Sequence, residues 1–150
     1  FKDFIKKRAP KAEILEYQSG LIPIYNSKIK TQNDKVFTLG DAATMVKATT
    51  YGGIIQSLIS AEALSKSILE NKDYETLWRK KLGKELYFHS LIRKTLNNFS
   101  EKDCNELLHL TQNKKIKKIL QENKRDELSS FVFKILKSEP KLLKFGFKLF

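Results

Sequence analysis

The sequence predicts a mixed α+β or α/β fold, in which one or two strands and a buried helix are followed by a mostly helical region. The apolar run 36–39 stops at a Gly-Asp pair, as a buried strand does at a turn. Two glycines, Gly52 and Gly53, open a long segment with helical apolar periodicity. Beyond residue 71 the apolar residues recur at helical spacing. We therefore divide the chain into two regions, 1–70 and 71–150.

Composition limits the class of protein. The 150 residues are 41% hydrophobic and 11% aromatic, which favours one globular domain or part of one. The net charge of +12 is uneven, because residues 1–70 hold 10 Lys and Arg against 7 Asp and Glu, and residues 71–150 hold 19 against 10. Such a basic surface attracts anionic lipid headgroups or nucleic acid. Nucleic acid is disfavoured, since no recognition-helix signature accompanies the charge.

Several kinds of site are excluded by what the sequence lacks. The single cysteine, Cys104, rules out an internal disulfide and a multi-cysteine metal site, and we expect it to pack in the first turn of a helix. His89 and His109 are not spaced with a carboxylate as metal ligands, so no metal site is predicted. No apolar run reaches the roughly 18 to 20 residues of a membrane span, and no signal peptide is visible. We expect a cytoplasmic protein that touches a membrane, if at all, from its inner face.

The first region begins with a helix over 1–9, which ends before Pro10. We predict a strand over 12–17, an extended segment over 20–24 and a loop over 26–34. The first residues resemble the tail of a helix cut in its middle. They suggest a C-terminal fragment or one part of a split protein.

The segment 35–55 has the arrangement of a ligand-binding turn. Gly40 lets the backbone turn where a side chain would collide, and Asp41 lies at the carboxyl end of the strand, where open α/β folds bind ligands. Gly52 and Gly53 leave the first amides of the helix over 52–70 uncovered, so that its dipole can face an anionic or electron-rich ligand. We expect the broad apolar faces of this helix to be buried against a nucleotide-binding domain outside the chain.

Two runs in this segment, Leu39-Gly40-Asp41-Ala42-Ala43 and Thr49-Thr50-Tyr51-Gly52-Gly53-Ile54, resemble a known motif. They are similar to the second FAD-contacting motif of the para-hydroxybenzoate hydroxylase-like flavoproteins. The run 45–54 most resembles the geranylgeranyl reductase branch, whose pattern is close to GDAA, two or three residues, and PxTGGGI. Tyr74 and Trp78 resemble the segment that follows the flavin-contacting helix in that branch.

The resemblance implies a cofactor, FAD, and a set of contacts to it. In that family the aspartate hydrogen-bonds a ribityl hydroxyl and the helix-start amides face the pyrimidine side of the flavin. The strand and helix would then come from an FAD-binding domain. The chain has no Gly-x-Gly-x-x-Gly loop for the pyrophosphate, so an N-terminal remainder of that domain is expected as a partner and the isolated chain is expected to be inactive. The implied cofactor-binding residues are Gly40, Asp41, Gly52, Gly53, Ile54 and Ile55.

Three residues bear on the branch and on the loop. Ala48 stands where the family usually has proline, which loosens the loop. Tyr51 stands where the family usually has glycine, and it places a ring where the flavin edge or substrate lies. Tyr51 is also the single candidate that we put forward for a catalytic proton donor. Thr44 stands where the aromatic hydroxylases commonly have histidine, which disfavours that branch.

The resemblance implies a FAD-dependent reductase that saturates isoprenoid double bonds, those of geranylgeranyl chains on archaeal-type membrane lipids or their precursors. Its substrate would be a polyprenyl lipid. Two alternatives stay open. One is another FAD-dependent oxidoreductase of the superfamily, namely a monooxygenase, a halogenase or a quinone-linked dehydrogenase. The other is a basic helical module without enzymatic activity that binds a membrane or nucleic acid.

The second region is predicted to consist of helices. Asp73 caps a long helix, and Ser100 with Asp103 forms a near capping box for a helix through residue 110. Further helices are predicted over 114–120, 128–136 and 141–150. In the last of these, three lysines share one face, so it suits either an anionic membrane surface or docking on neighbouring helices, and the resemblance to a lipid enzyme favours the membrane. The packing stripe of the long helix comprises Trp78, Leu82, Leu86, Ile92 and Leu96.

Overall fold

The computed structural model describes residues 1–124 and 127–149, apart from the side chains of Phe147 and Leu149. Its described part is mostly helical with one small antiparallel hairpin, which confirms the predicted mixture in this coarse form. Two segments are 3₁₀-helical, Gly40–Ala43 and Pro140–Leu149, and Arg79–Gly83 forms a π-helical turn. The regular elements are α1 Lys2–Arg8, β1 Gln32–Asn33, β2 Val36–Phe37, α2 Ile54–Glu70, α3 Tyr74–Trp78, α4 Lys84–Asn97, α5 Glu101–Thr111, α6 Lys114–Glu122 and α7 Leu128–Ser138.

The segment between α1 and β1 is largely extended over the surface. Helix α1 is confirmed, but residues 12–24 form no regular element, so the strand predicted over 12–17 is wrong. A strand needs a neighbouring backbone for its hydrogen bonds, and no described part of this chain pairs with it. Large apolar side chains are exposed along the segment, at Ile14, Leu15, Tyr17, Leu21, Ile22 and Ile24.

The strand before the Gly-Asp turn is shorter and more exposed than predicted. It is β2, which pairs antiparallel with β1 so that Gln32 lies opposite Phe37. Val36 is exposed, whereas Phe37 packs edge-on against Tyr74 with ring centroids 5.8 Å apart. The prediction of a buried strand over 36–39 is therefore wrong for the described residues, which supply no second layer to cover it. In the described chain, the apolar residues of this strand are therefore packed on one side only.

The first core forms where α2, α3 and the π-helical turn meet. Helix α2 begins at Ile54, two residues after the predicted start. Its fully buried residues are small or polar, whereas five of its large apolar residues are exposed and only Ile59 and Leu64 pack, partly buried, against the core. The residues buried on α2 are Gln56, Ser60, Ala63 and Ser67, and the exposed ones include Ile54, Ile55, Leu58, Ile68 and Leu69. The buried core residues are Tyr25, Ala43, Met45, Ala63, Tyr74, Trp78, Leu82 and Leu86.

A polar network fastens residues 27–31 to α3. The indole of Trp78 donates to Thr31 Oγ1 at 2.8 Å, and the backbone amide of Thr31 donates to Glu75 Oε2 at 3.1 Å. Arg79 donates from Nε to Glu75 Oε1 at 2.7 Å and from Nη2 to the Ser27 carbonyl at 3.0 Å. Burial raises the pKa of Glu75, but the hydrogen bonds from Thr31 and the Arg79 guanidinium outweigh it, so that this pKa lies below its usual value.

We expect Glu75→Gln to lower the free energy of unfolding at pH 7 by about 1–2 kcal/mol, because it removes charge-assisted hydrogen bonds. A carboxylate whose pKa is lower in the folded state contributes stability above its unfolded pKa, about 4.3, and loses it as the pH falls through the folded pKa. The difference between variant and wild type should therefore shrink at pH 3. Denaturant unfolding at both pH values measures this, with exposed Glu13→Gln as the control. An equal loss at both pH values would contradict the assignment.

The predicted helical signals of the second region are confirmed. Asp73 Oδ2 accepts from the Thr76 amide at 2.7 Å, and Ser100 and Asp103 form a reciprocal capping box. Trp78, Leu82 and Leu86 are buried as the stripe predicts, and Ile92 and Leu96 are partly buried. Cys104, expected to pack, is exposed because it faces outward from the first turn of α5.

The last segment docks on the neighbouring helices as a 3₁₀-helix. Leu142 and Phe145 are buried with Leu110 and Ile116 in a second core. Lys148 Nζ lies 2.6 Å from Asp103 Oδ2, and Lys144 pairs with Glu106, so two of the predicted lysines meet carboxylates of α5. Of the two roles left open by the sequence, the described residues show docking, and contact with a membrane stays a prediction. The predicted apolar roles of Phe147, Leu149 and Phe150 lie outside the described side chains.

No helix in the described part of the chain combines the length and the apolarity needed to cross a bilayer.

Candidate functional site

The residues singled out from the sequence lie together at the start of α2. One open cavity of about 550 Å³ is lined by Gly40, Asp41, Tyr51, Gly53 and Ile54, together with Leu39, Ser57 and Leu58. An adjoining cavity of about 220 Å³ is lined by Gly52 and Ile55 and shares Tyr51, Gly53 and Ile54. The structure thus brings together every cofactor-binding residue predicted from the sequence, and their individual roles stay predictions.

The turn that carries Asp41 is stabilised by interactions within residues 40–45. Gly40 has φ +61°, a conformation that glycine adopts without steric cost. The 3₁₀ turn that follows closes when the Met45 amide donates to the Gly40 carbonyl at 2.9 Å. Ala43 and Met45 are buried beneath it, whereas Asp41 is exposed. The buried residues and this hydrogen bond therefore hold the turn in place, and the carboxylate of Asp41 faces the cavity.

The carboxylate of Asp41 lies against Gly53, near the start of the helix predicted over 52–70. A Cβ atom on Gly53 would lie 2.5 Å from Asp41 Oδ1, so this approach depends on the absence of a side chain at Gly53. Gly53 is the N-cap of α2, and it has no side chain with which to cap the first amides of the helix. The first amides of a helix have no partner within it, so donors and a carboxylate acceptor lie side by side here.

The loop over 47–52 connects the turn to α2. It is closed by three backbone hydrogen bonds. The amides of Thr50 and Tyr51 donate to the Lys47 carbonyl at 3.3 and 2.8 Å, and the Lys47 amide donates to the Gly52 carbonyl at 3.0 Å. Tyr51 has φ +56°, which costs a non-glycine residue about 1–2 kcal/mol. Its half-exposed ring lines both cavities. That the flavin edge or the substrate lies next to this ring stays a prediction.

Sequence reasoning missed two residues of α4 that hold this loop. Arg93 donates from Nε to the Ala48 carbonyl at 2.7 Å and from Nη2 to the Thr49 carbonyl at 3.2 Å, and its guanidinium lies 5.0 Å from the centre of the Tyr51 ring. His89 is buried, and its Nδ1 lies 2.6 Å from Thr49 Oγ1. The two residues share one face of α4, but nothing local in the sequence points to a loop about forty residues upstream.

A larger cavity, of about 680 Å³, lies behind the loop. It is lined by Thr49, Thr50 and His89 on one side, and the apolar part of its wall comes from Leu120, Leu128 and Phe131. None of the six predicted cofactor-binding residues lines it. The loop over 47–52 therefore lies between the cavities at the start of α2 and this larger cavity.

The described side chains offer hydrogen-bonding groups rather than metal ligands. Within 1–124 and 127–149, no group of three or more His, Cys, Asp and Glu side chains is placed to hold a metal ion. The site at the start of α2 combines an exposed carboxylate, helix-start amides and a tyrosine ring. Such a set suits a ligand that has hydroxyl donors next to an electron-rich group.

Comparison with known proteins gives one consistent result. The chain is 34% identical over 118 residues to digeranylgeranylglycerophospholipid reductase 2 of Methanococcoides burtonii, which covers 71% of the chain and 29% of that protein. It is 30% identical over 155 residues to the digeranylgeranylglycerophospholipid reductase of Methanocaldococcus jannaschii, covering 96% of the chain and 37% of that protein. The reductase of Methanothrix thermoacetophila is 26% identical over 151 residues, covering 93% and 37%.

No family model and no solved structure matches the chain significantly. The chain spans between 29% and 37% of the length of these relatives. The resemblance that the sequence predicts is confirmed, since all three relatives carry the same activity in their names and match most of the chain.

Proposed function

Since the chain is geranylgeranyl reductase-like over most of its own length, we propose that it forms part of an FAD-dependent reductase that saturates geranylgeranyl double bonds of membrane lipids or their precursors. The observation that carries the proposal is the contact between the Asp41 carboxylate and Gly53 at the start of α2, at the place where the resemblance puts the flavin. The names of the relatives supply the substrate class.

The residues present fit the cofactor. Asp41 is exposed and fixed by the turn below it, so it can accept a hydrogen bond from a ribityl hydroxyl. The amides of Gly52, Gly53, Ile54 and Ile55 lie at the positive end of the α2 dipole, which suits the electron-rich pyrimidine side of a flavin. The space that a Cβ on Gly53 would fill is occupied by Asp41 itself, which keeps the acceptor close to these donors.

The chemistry belongs to the cofactor and the chain positions it. Asp41 and the amides at the start of α2 would hold FAD, whose reduced form would supply the hydride for one alkene carbon; a proton would add to the other carbon, and an external electron donor would regenerate the reduced flavin. The amides at the start of α2 stabilise negative charge next to them, as preorganised donors do. Tyr51 lines the same cavity and is the described hydroxyl that we put forward as a proton source.

The rest of the cofactor site is assigned to a nucleotide-binding region outside the chain. The exposed face of α2 supports this, because Ile54, Leu58 and Ile68 follow one another at helical spacing on the side away from the core. The segment over 12–24 exposes further apolar side chains. Monomeric proteins rarely leave such contiguous apolar surface in water. We call this chain together with that region the complete protein.

The apolar part of the wall of the cavity behind the loop supports a lipid substrate. Leu120, Leu128 and Phe131 line its wall, and only the loop over 47–52 separates it from the proposed flavin site. A polyprenyl chain has no polar groups to satisfy, so apolar walls suit it. With a lipid as substrate and a net charge of +12, we also propose a peripheral position on an anionic membrane surface.

The two alternatives are less well supported. Another oxidoreductase of the same superfamily would use the same cofactor site, but the relatives named here are all reductases. A basic module without chemistry rests on the charge alone. This alternative does not explain why Asp41, Gly53 and Tyr51 lie around one cavity.

The test is conversion of a prenyl lipid by the complete protein. We expect the purified protein to be yellow and, after chemical reduction of its flavin, to add one molecule of hydrogen per double bond of digeranylgeranylglycerophospholipid, measured by mass spectrometry. The oxidised protein without a reductant is the control. A colourless protein would refute the cofactor, and a flavoprotein that leaves the lipid mass unchanged would refute the substrate.

A further inference from the structure

Arg93 is the one side chain of α4 that contacts the loop over 47–52 in three ways. Its Nε and Nη2 donate to the carbonyls of Ala48 and Thr49, at 2.7 and 3.2 Å, and its guanidinium stacks on the Tyr51 ring at 5.0 Å. Ala48 is buried and Arg93 is itself partly buried, so water competes weakly for these bonds. Arginine suits this position, because its planar fork can donate twice and stack at the same time.

The loop over 47–52 must be stabilised by contacts with other parts of the fold, because its backbone is strained at Tyr51. Tyr51 adopts φ +56°, the left-handed region that residues with side chains rarely occupy. Such a conformation persists only where the surroundings over-determine it. The loop's own three backbone hydrogen bonds join its residues to one another, but they do not tie it to the rest of the fold. Arg93 makes that connection, and Thr49 Oγ1 adds a second one through His89.

We infer that Arg93 is a positioning residue for the flavin site: it holds the loop over 47–52 against α4 and thereby fixes Tyr51 and the start of α2 for cofactor binding. This inference rests on the proposed function. Arg93 lines neither cavity at the start of α2 and acts through the loop. Its loss should weaken flavin binding while leaving the two cores, in which it takes no part, intact.

The test is a double-mutant cycle in the complete protein, read by flavin titration. We expect Arg93→Met to raise the Kd for FAD about tenfold, and Arg93→Lys to recover only part of this because an ammonium cannot donate and stack as a planar fork. In a Tyr51→Gly background, where the backbone is relaxed and the ring is absent, Arg93→Met should raise Kd only two- to threefold. Lys94→Met, which removes the exposed neighbouring cation, is the matched control.

A second measurement separates this inference from the proposed function. Hydrogen exchange of the flavin-free protein reports the loop directly, and the amides of Lys47 and Tyr51 should exchange faster in Arg93→Met with an unchanged unfolding midpoint. If the wild type binds no flavin, but Arg93→Met still makes these amides exchange faster than in the wild type, the proposed function fails and the inference that Arg93 holds the loop is supported. An unchanged Kd with a lowered unfolding midpoint, or an equal loss in both Tyr51 backgrounds, would overturn the inference.

Discussion

Asp41→Ala should abolish most flavin binding by the complete protein. A hydrogen bond to a charged acceptor is worth about 1.5–3 kcal/mol, so the variant should bind FAD about ten- to hundredfold more weakly. Asp41 is exposed and belongs to neither core, so the free energy of unfolding of the flavin-free protein should change by less than about 0.5 kcal/mol. Flavin absorbance per protein and a fluorescence titration measure the first quantity, and denaturant unfolding the second.

Two further variants make the result interpretable. Asp41→Asn keeps one acceptor oxygen without the charge, so its Kd should fall between those of wild type and Asp41→Ala. Asp3→Ala removes an exposed aspartate of α1 and should leave Kd unchanged. Unchanged flavin occupancy in Asp41→Ala would remove the ribityl assignment, and with it the observation on which the proposed function stands.

The parts of the fold that the sequence predicts well are those with local causes. The capping residues Asp73 and Ser100 and the glycines that open α2 act on amides within one helical turn, so their sequence spacing is sufficient. The Asp41–Gly53 contact also follows from a short motif, because turn, loop and helix start are consecutive in the chain. The residues of the candidate site can therefore be identified from the sequence, although the distances between them cannot.

The errors come from contacts between distant segments. The run over 12–17 has the composition of a strand but finds no partner among the described residues, and β2 has one neighbour where a buried strand needs two. Arg93 and His89 reach a loop far upstream, which no periodicity reveals. The exposed apolar face of α2 has the same origin, since Ile54, Leu58 and Ile68 are not covered by any described part of the chain. Sequence patterns show that a surface is apolar, but they do not show what covers it.

Gly40→Ala should be the most destabilising single substitution at the site. Gly40 has φ +61°, and an added Cβ would lie 2.5 Å from Ser57 Oγ and 3.2 Å from Ser57 Cβ on α2. Backbone strain of about 1–2 kcal/mol adds to the clash, so we expect the free energy of unfolding to fall by about 2–4 kcal/mol. Denaturant unfolding measures the loss. Flavin binding should weaken as well, because the turn that holds Asp41 must move away from α2.

Two controls divide this loss into its parts. Gly20→Ala adds the same methyl group where nothing lies within 4 Å, and it should change the free energy of unfolding by less than about 0.5 kcal/mol. Adding Ser57→Ala to Gly40→Ala removes the oxygen that the new Cβ meets, but it leaves the left-handed φ unchanged. The double variant should therefore recover most of the steric part of the loss, because only the 3.2 Å contact with the Cβ of residue 57 remains, and it should keep the strain. If Gly40→Ala is no worse than Gly20→Ala, the turn yields easily, and the rigid presentation of Asp41 on which the cofactor site depends is refuted.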